Sequence, residues 1–311
     1  MLNRRTFIKK AAIGGGVALA GAFPFESFAG ERKHKLTILH TNDVHSRLEP
    51  FPMDGGKFEG QGGVAARAAI IAQIRKEQEH VLLLDAGDIF QGTPYFNMYK
   101  GEPEIKALSM MGYDAVTMGN HDFDAGVEGF AKQLPHANFP VLTANYDFTN
   151  TPLDGKIQPY TIIKKGGLRI GIFGLGVELS GLVSDNYFGN TKYNDPLPIA
   201  KRISEQLKKR ESCDMVICLS HLGYEYDNNK ISDKIIAAET EYIDLVIGGH
   251  THTFLDVPTP VRNKLGKDVL INQVGWAGLR LGRIDYDFNG TKTRKFSNAQ
   301  SVIVTKQTRG E

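Results

Sequence analysis

The sequence predicts an α/β domain built on mixed β-sheets. Strand-like and helix-like patterns alternate through most of the chain. Several strands are continuous apolar runs rather than one-faced alternations, so helices or a second sheet must cover both of their faces. The last part of the chain reads as antiparallel strands. Its 311 residues suffice for one large domain, and no internal repeat, low-complexity run or linker divides them.

The elements follow in order. Residues 35–40 form a strand that leads into a Gly-rich loop, and 64–79 carry apolar residues at helical spacing. Val81-Leu82-Leu83-Leu84 is a short apolar run ending at Asp85, as in a buried strand. Helices are expected over 104–111 and 127–134, and strands over 115–118 and 141–143. Residues 160–163 and 168–173 flank 164–167, whose turn residues predict a hairpin. A helix over 199–209 precedes two buried strands, 215–219 and 245–247, which are separated by a helix over 231–239. The tail from 269 to 304 reads as antiparallel strands with a turn at 287–290.

Hydrophobic residues make up 41% of the chain and charged residues 23%, which is ordinary for a soluble domain and excludes a disordered, collagenous or coiled-coil chain. The net charge of +2 comes from the first 29 residues, where Arg4, Arg5, Lys9 and Lys10 face only Glu26. The near-neutral remainder carries no electrostatic footprint for nucleic acid. Asn3-Arg4-Arg5-Thr6-Phe7-Ile8-Lys9-Lys10 resembles a twin-arginine export signal. The Gly/Ala-rich stretch at 11–23 is shorter than the roughly 20 apolar residues of a membrane span. Ser27-Phe28-Ala29 then offers the small residues of a cleavage site, with no cysteine beside it for a lipid anchor. Residues 1–29 are therefore expected to be an export leader, and 30–311 a periplasmic or secreted domain without a stable membrane anchor. Cys213 and Cys218 are expected on opposite faces of one strand, neither bridged nor numerous enough for a thiolate metal site.

Chemistry-bearing residues gather in five words, each just after an expected strand. These are His40-Thr41-Asn42-Asp43-Val44-His45, Gly87-Asp88, Gly119-Asn120-His121-Asp122, Ser220-His221-Leu222-Gly223 and Gly248-Gly249-His250-Thr251-His252. Ligand sites of α/β sheets lie beyond the carboxyl ends of strands. Asp43 and His45 are two apart in an extended segment and can face one way, as can His250 and His252. A single pair of this kind is most often a strand-end hydrogen-bonding pair; five such words are hard to explain as satisfied surface polars. Glycines at 87, 119, 223, 248 and 249 permit unusual backbone and close approach. Carboxylate, imidazole and amide ligands without thiolate suit zinc, manganese, iron or cobalt in a reactive site rather than a structural zinc. The set is too large for one ion. Two ions about 4 Å apart would share a carboxylate, and Asp88 is the one carboxylate standing alone among the words. Asp124, three residues after His121, can fix that ring's tautomer. His34, His80 and His136 are expected at the surface, and Asp85 as a strand-end acceptor. Tyr95, Phe96 and Tyr99 are expected to pack, and Trp276 to lie at the rim of the site.

In order and spacing, these words resemble the five-block signature of calcineurin-like metallophosphoesterases, from about residue 36 to 285. Leu39-His40-Thr41-Asn42-Asp43, Asn120-His121-Asp122-Phe123-Asp124, Leu219-Ser220-His221-Leu222-Gly223, Gln273-Val274-Gly275 and Leu281-Gly282-Arg283 resemble the 5′-nucleotidase branch. Ser46 stands where most members have Gly, and Asp122 where many have Glu. The resemblance implies a four-layer αββα sandwich of two mixed sheets flanked by helices, with a two-metal site at the strand ends. Asp43, His45 and His252 would hold the first metal, Asn120, His221 and His250 the second, and Asp88 would bridge them. His121 resembles the catalytic histidine, with Asp124 orienting it and Asn120 helping to meet charge on the phosphoryl oxygens.

The implied activity is hydrolysis of a nucleotide or other small phosphoester, with 5′-nucleotidase action foremost. Cyclic-nucleotide phosphodiesterase or UDP-sugar hydrolase action on the same site is the alternative reaction, and a non-catalytic metal-binding module that recruits a partner is the alternative class. Members of the branch carry a second, C-terminal domain for base recognition, and this sequence stops near the expected end of the metal domain. Weak base preference is therefore expected, unless a separate chain resembling that domain supplies the pocket.

Overall fold

The strands that carry the five words belong to two different sheets. In the computed structural model, which describes residues 34–289 and 293–306, β1 (His34–Thr41), β2 (Val81–Asp85), β3 (Ala115–Thr117) and β4 (Val141–Leu142) run parallel. That sheet continues beyond β1 through antiparallel β13 (Arg280–Phe288) and β14 (Arg294–Ile303), giving the order β14-β13-β1-β2-β3-β4. The second sheet has β7 (Leu168–Gly176), β9 (Met215–His221), β10 (Leu245–Gly248) and β12 (Asp268–Asn272) mutually parallel. Antiparallel β6 (Tyr160–Lys165) and β11 (Thr259–Arg262) form its edges. A small pair, β5 (Tyr146–Asp147) with β8 (Lys192–Tyr193), stands apart. The expected export leader, residues 1–29, lies outside the described residues.

The layering follows from side chains alternating along each strand. Leu36 and Ile38 of β1, Leu82 and Leu84 of β2, Ile217 and Leu219 of β9, and Leu245 and Ile247 of β10 share one fully buried core. That core lies between the sheets. The opposite faces of β2 and β9 pack on helices. Val81 and Leu83 meet α1 (Val64–Glu77) and α3 (Glu102–Met111), and Val216 and Cys218 meet α6 (Pro196–Glu205) and α7 (Asp233–Glu239). The result is the expected α/β/β/α order. It also explains the unbroken apolar runs, since a strand buried on both faces has no polar face to show. Each fully buried Leu or Ile contributes about 1.5–3 kcal/mol relative to exposure. The remaining short helices are α2 (Pro94–Tyr99), α4 (Gly126–Gln133) and α5 (Asp185–Phe188).

Three expectations need correction. The tail is not one antiparallel set: β12 lies in the second sheet, parallel to β10, and only β13 and β14 pair with each other. The expected helix over 199–209 starts earlier, with Asp195 accepting from Leu197 N–H ahead of Pro196, and finishes as a wider π turn over Gln206–Arg210. Cys213 precedes β9, so strand alternation does not apply to it. Both cysteines are free and lie in the same helix-side core. The expected hairpin is present: β6 and β7 are joined through Gly166 and Gly167, whose φ angles of 61° and 75° are those of a tight hairpin turn.

Candidate metal centre

Five strand ends deliver the candidate ligands to one place. β1 leads to Asp43 and His45, β2 to Asp88, and β3 to Asn120 and His121; His221 is the last residue of β9, and β10 leads to His250 and His252. The first three strands belong to one sheet and the last two to the other. The side chains form two groups, Asp43 with His45 and His252, and Asp88 with His221 and His250, and within each group the ligand atoms lie inside 4.8 Å of one another. Each group therefore takes side chains from both sheets.

Nε2 of His45 and Nε2 of His252 are 3.0 Å apart, and His252 Nε2 is 3.4 Å from Asp43 Oδ1. In the other group His221 Nε2 is 3.1 Å from Asp88 Oδ2, and His250 Nδ1 is 2.8 Å from Asn120 Oδ1. Asp88 lies between the groups, since the same Oδ2 is 3.8 Å from His45 Nε2. Its Oδ1 accepts from the His121 N–H at 2.8 Å.

Several features fit cations. The ion-pair partners within 4.0 Å of the buried Asp43 and Asp88 are, among the described residues, all histidines. Buried carboxylates without Lys or Arg need another positive charge. His221 donates Nδ1–H to the Ala86 carbonyl at 2.7 Å, which fixes its tautomer, and its buried Nε2 makes no well-aligned hydrogen bond, with Asp88 Oδ2 3.1 Å away. Burial lowers the pKa of His45 and brings that of His250 down to about 4, leaving both rings in the neutral form that ligates a metal. Burial also opposes a charge on His221, but Asp88 and Asp43 outweigh it and raise its pKa. A positive charge is thus favoured between the carboxylates, and a bound cation supplies one. Together the two groups support a dinuclear divalent metal site.

Backbone strain marks the same residues. Asp43, His45, Asp88, His250 and His252 all have left-handed φ angles, from 46° at His45 to 73° at His250. Such a conformation costs a non-glycine residue about 1–3 kcal/mol and persists where the surroundings over-determine it. Gly119 is required by close approach instead, because a Cβ there would lie 2.1 Å from Asp88 Oδ1.

His121 stands beside the two groups, its ring 5.3 Å from that of His45. Its Nδ1 donates to Asp124 Oδ2 at 2.8 Å, so Nε2 is directed away from that carboxylate. The bond to Asp124 raises its pKa; burial opposes this, and Asp88 adds to it.

A family model for calcineurin-like phosphoesterases matches residues 36–254. The chain belongs to the calcineurin-like phosphoesterase family. Among relatives of this chain, the 5′-nucleotidase of Bos taurus is 40% identical over 238 residues, which are 74% of this chain and 40% of the relative. The snake venom 5′-nucleotidase of Gloydius brevicauda is 35% identical over 292 residues, covering 88% of this chain and 48% of the relative. The crystal structure of a 5′-nucleotidase precursor from Thermus thermophilus superposes with a TM-score of 0.79 at 32% identity, over 87% of this chain and 55% of that one. The chain thus spans about half the length of the relatives it matches.

The other expected residues fall as follows. Asp85 is a strand-end acceptor, taking hydrogen bonds from Thr41 Oγ1 at 2.5 Å and Gly87 N at 2.9 Å. His80 and His136 are part-exposed and outside both groups. Phe96 is buried against Phe90, while Tyr95 stacks on Tyr99 and donates to Glu49. Trp276 is half-buried and stacks on His252. Ser46 has a φ of 51°, a conformation that glycine would adopt without strain. Residue identity gives little sign of Asp122, which accepts from the backbone N–H groups of Asp88, Ile89, Phe90 and Gly119 at 2.8–3.1 Å. It fastens the turn that carries Asp88 to the turn that carries Asn120. Only its place inside the third word hints at this.

Proposed function

We propose that this chain hydrolyses phosphoesters at a two-metal centre, acting as a nucleotide phosphomonoesterase of the 5′-nucleotidase type. The observation that carries the reading is the pair of ligand groups sharing Asp88, with the His121–Asp124 pair at their side. The relatives' 5′-nucleotidase names support the substrate class. In this reading Asp43, His45 and His252 would hold one cation and Asn120, His221 and His250 the other, with Asp88 shared between them. Bound divalent cations supply charge neutralisation for a phosphate and acidify water. Zinc, manganese, iron and cobalt all suit these ligands.

The chain's own residues do the rest. Asn120 and His121 meet negative charge growing on the phosphoryl oxygens. Asp124 accepts from Nδ1–H of His121 and raises the ring's pKa, so the protonated ring presents Nε2–H to the leaving oxygen and gives it a proton. Phosphomonoester and water become alcohol and phosphate, with no covalent enzyme intermediate. Diester or UDP-sugar cleavage would use the same groups. Intact His121, Asp88 and Asn120 speak against a purely metal-binding, partner-recruiting module.

The test is a phosphoester panel on the metal-loaded chain, with AMP, GMP, UMP and ribose 5-phosphate alongside a cyclic nucleotide and a UDP-sugar. Monoester turnover is expected to dominate. No turnover with any phosphoester under added zinc or manganese would leave the non-catalytic module standing. The ligand groups face phosphate, which every substrate shares, so kcat/KM for AMP, GMP and UMP is expected within about tenfold, as when discriminating contacts are few. Strong selectivity for one base would instead place a base site in this chain, at α2 or the Trp276 loop. Weak selectivity that sharpens on adding a separate chain resembling the relatives' remaining half would place the pocket there.

The reading extends to export of residues 30–311 to the periplasm or medium through the twin-arginine route. No helix among the described residues is long and apolar enough to cross a membrane. Replacing Arg4 and Arg5 together by Lys is expected to leave the precursor in the cytoplasm on cell fractionation. Normal export of that variant would point to the general secretory route.

A further inference from the structure

Gln273-Val274-Gly275 is a word of the sequence to which the chemistry assigns no part. The structure places it, with Trp276 and Ala277, between the first metal-ligand word and the last. Val274 N–H donates to Asn42 Oδ1 at 2.9 Å, and Asn42 Nδ2 donates to the Gly275 carbonyl and to Asp43 Oδ2, each at 2.7 Å. Ala277 N–H donates to the Asp43 carbonyl at 2.7 Å. On the other side Gly275 N–H donates to the Thr253 carbonyl at 3.0 Å.

The fully buried Gln273 completes the tie. Its Nε2 donates to the Gly249 carbonyl at 2.8 Å and to Asp233 Oδ2 at 3.1 Å. Its Oε1 accepts from Thr253 N–H at 3.1 Å and Thr251 Oγ1 at 3.2 Å. The amide therefore grips the 249–253 loop at three residues, bracketing both His250 and His252. Trp276 acts on the ring itself. It stacks on His252 with centroids 6.0 Å apart and planes at 14°, and the rings of Phe51 and Phe58 back it edge-on. His252 is the ligand with most to gain, since 41% of its side chain is exposed, against none of Asp43. A ring free to rotate loses that freedom on ligation; a ring already stacked loses less.

We propose that Gln273–Ala277 is a splint that sets the distance between Asp43 and His252 before metal arrives, with Gln273 and Trp276 as positioning residues for the first metal group. This rests on the two-metal reading above. Gln273 fixes the backbone on either side of the strained His250 and His252, and Trp276 fixes the imidazole plane. Neither touches substrate in this role.

Trp276 is the only tryptophan of the chain, so its emission reports directly on the His252 ring. Titrating the metal-free full chain with zinc alone is expected to change that emission saturably, and His252→Ala is expected to abolish the change. Zinc affinity, read by competition with a chelating dye, is expected to fall about 10–100-fold in Gln273→Met and in Trp276→Ala, the range for partners that orient metal ligands. Trp276→Phe keeps a stacking ring and is expected to regain most of the affinity. Melting of the metal-free proteins separates positioning from general stability: Trp276→Ala should melt close to the parent while binding zinc more weakly. Should Gln273→Met fail to fold, the Trp276→Ala and Trp276→Phe pair decides. Parental zinc affinity in Trp276→Ala, or equal weakening in Trp276→Phe, overturns the splint alone. A parent chain that takes up no zinc overturns the two-metal reading, and the splint with it.

Discussion

Asp88→Asn is expected to leave at most one metal per chain and nearly abolish turnover. The substitution keeps size and shape, and its remaining amide oxygen can still accept the 2.8 Å hydrogen bond from His121 N–H. What it removes is a negative charge that lies 3.1 Å from His221 Nε2 in one group and 3.8 Å from His45 Nε2 in the other. Asp88 is buried, so water cannot replace that charge. Removing one partner of a buried ion pair costs about 3–5 kcal/mol, which is roughly 10²–10⁴-fold in metal affinity at 1.4 kcal/mol per tenfold. Metal per chain, measured by atomic emission, and turnover on a phosphomonoester check this together. Two retained metals and a near-parental rate would remove Asp88 from between them.

His121→Ala is expected to separate metal from chemistry. The ring lies beside His45, and its Nδ1 is taken by Asp124, so its loss should leave both metals in place. Turnover should fall about 10²–10⁴-fold, the usual contribution of a positioned acid or base. Asp124→Ala should act in the same direction and less strongly, because the ring remains and loses its fixed orientation and the pKa rise that the Asp124 hydrogen bond brings. Loss of metal from His121→Ala would mean that this histidine is a ligand, and the division of roles around Asn120 and His121 would need redrawing.

Much of this centre is legible from residue types alone, for a local reason. A strand buried on both faces must be apolar throughout, so Val81-Leu82-Leu83-Leu84 announces itself, and the polar residues after each run mark its end. His121 and Asp124 sit close enough in sequence for their hydrogen bond to be anticipated. Less legible is whatever depends on a distant partner. β11 escapes a reading of the sequence because it is a four-residue edge strand that includes Pro260. β12 reads as antiparallel because nothing local reveals that it lies beside β10. The cysteines read as lying on opposite faces when strand alternation is extended to Cys213, two residues ahead of the start of β9 at Met215. Asp122 does not stand out because its four partners are backbone groups, which carry no side-chain signature.

The residue patterns by themselves determined the α/β class with mixed sheets, the identities of the candidate ligands and their emergence at strand ends, since each depends on residues within a few positions of one another; the αββα layering is implied by the family resemblance. The resemblance implies how those ligands divide, and the tertiary structure supplies the contacts on which that division depends. His45 and His252 are separated by 207 residues, yet their ring nitrogens lie 3.0 Å apart. That distance exists only because β1 and β10 belong to different sheets pressed together through Ile38, Leu84, Leu219 and Ile247. Packing between the sheets brings the two strand ends together, Asn42 ties the loops across the seam, and Gln273 holds the loop after β10. None of these is a property of any one segment. Each is a long-range contact whose strength comes from burial, and only the folded chain supplies that burial.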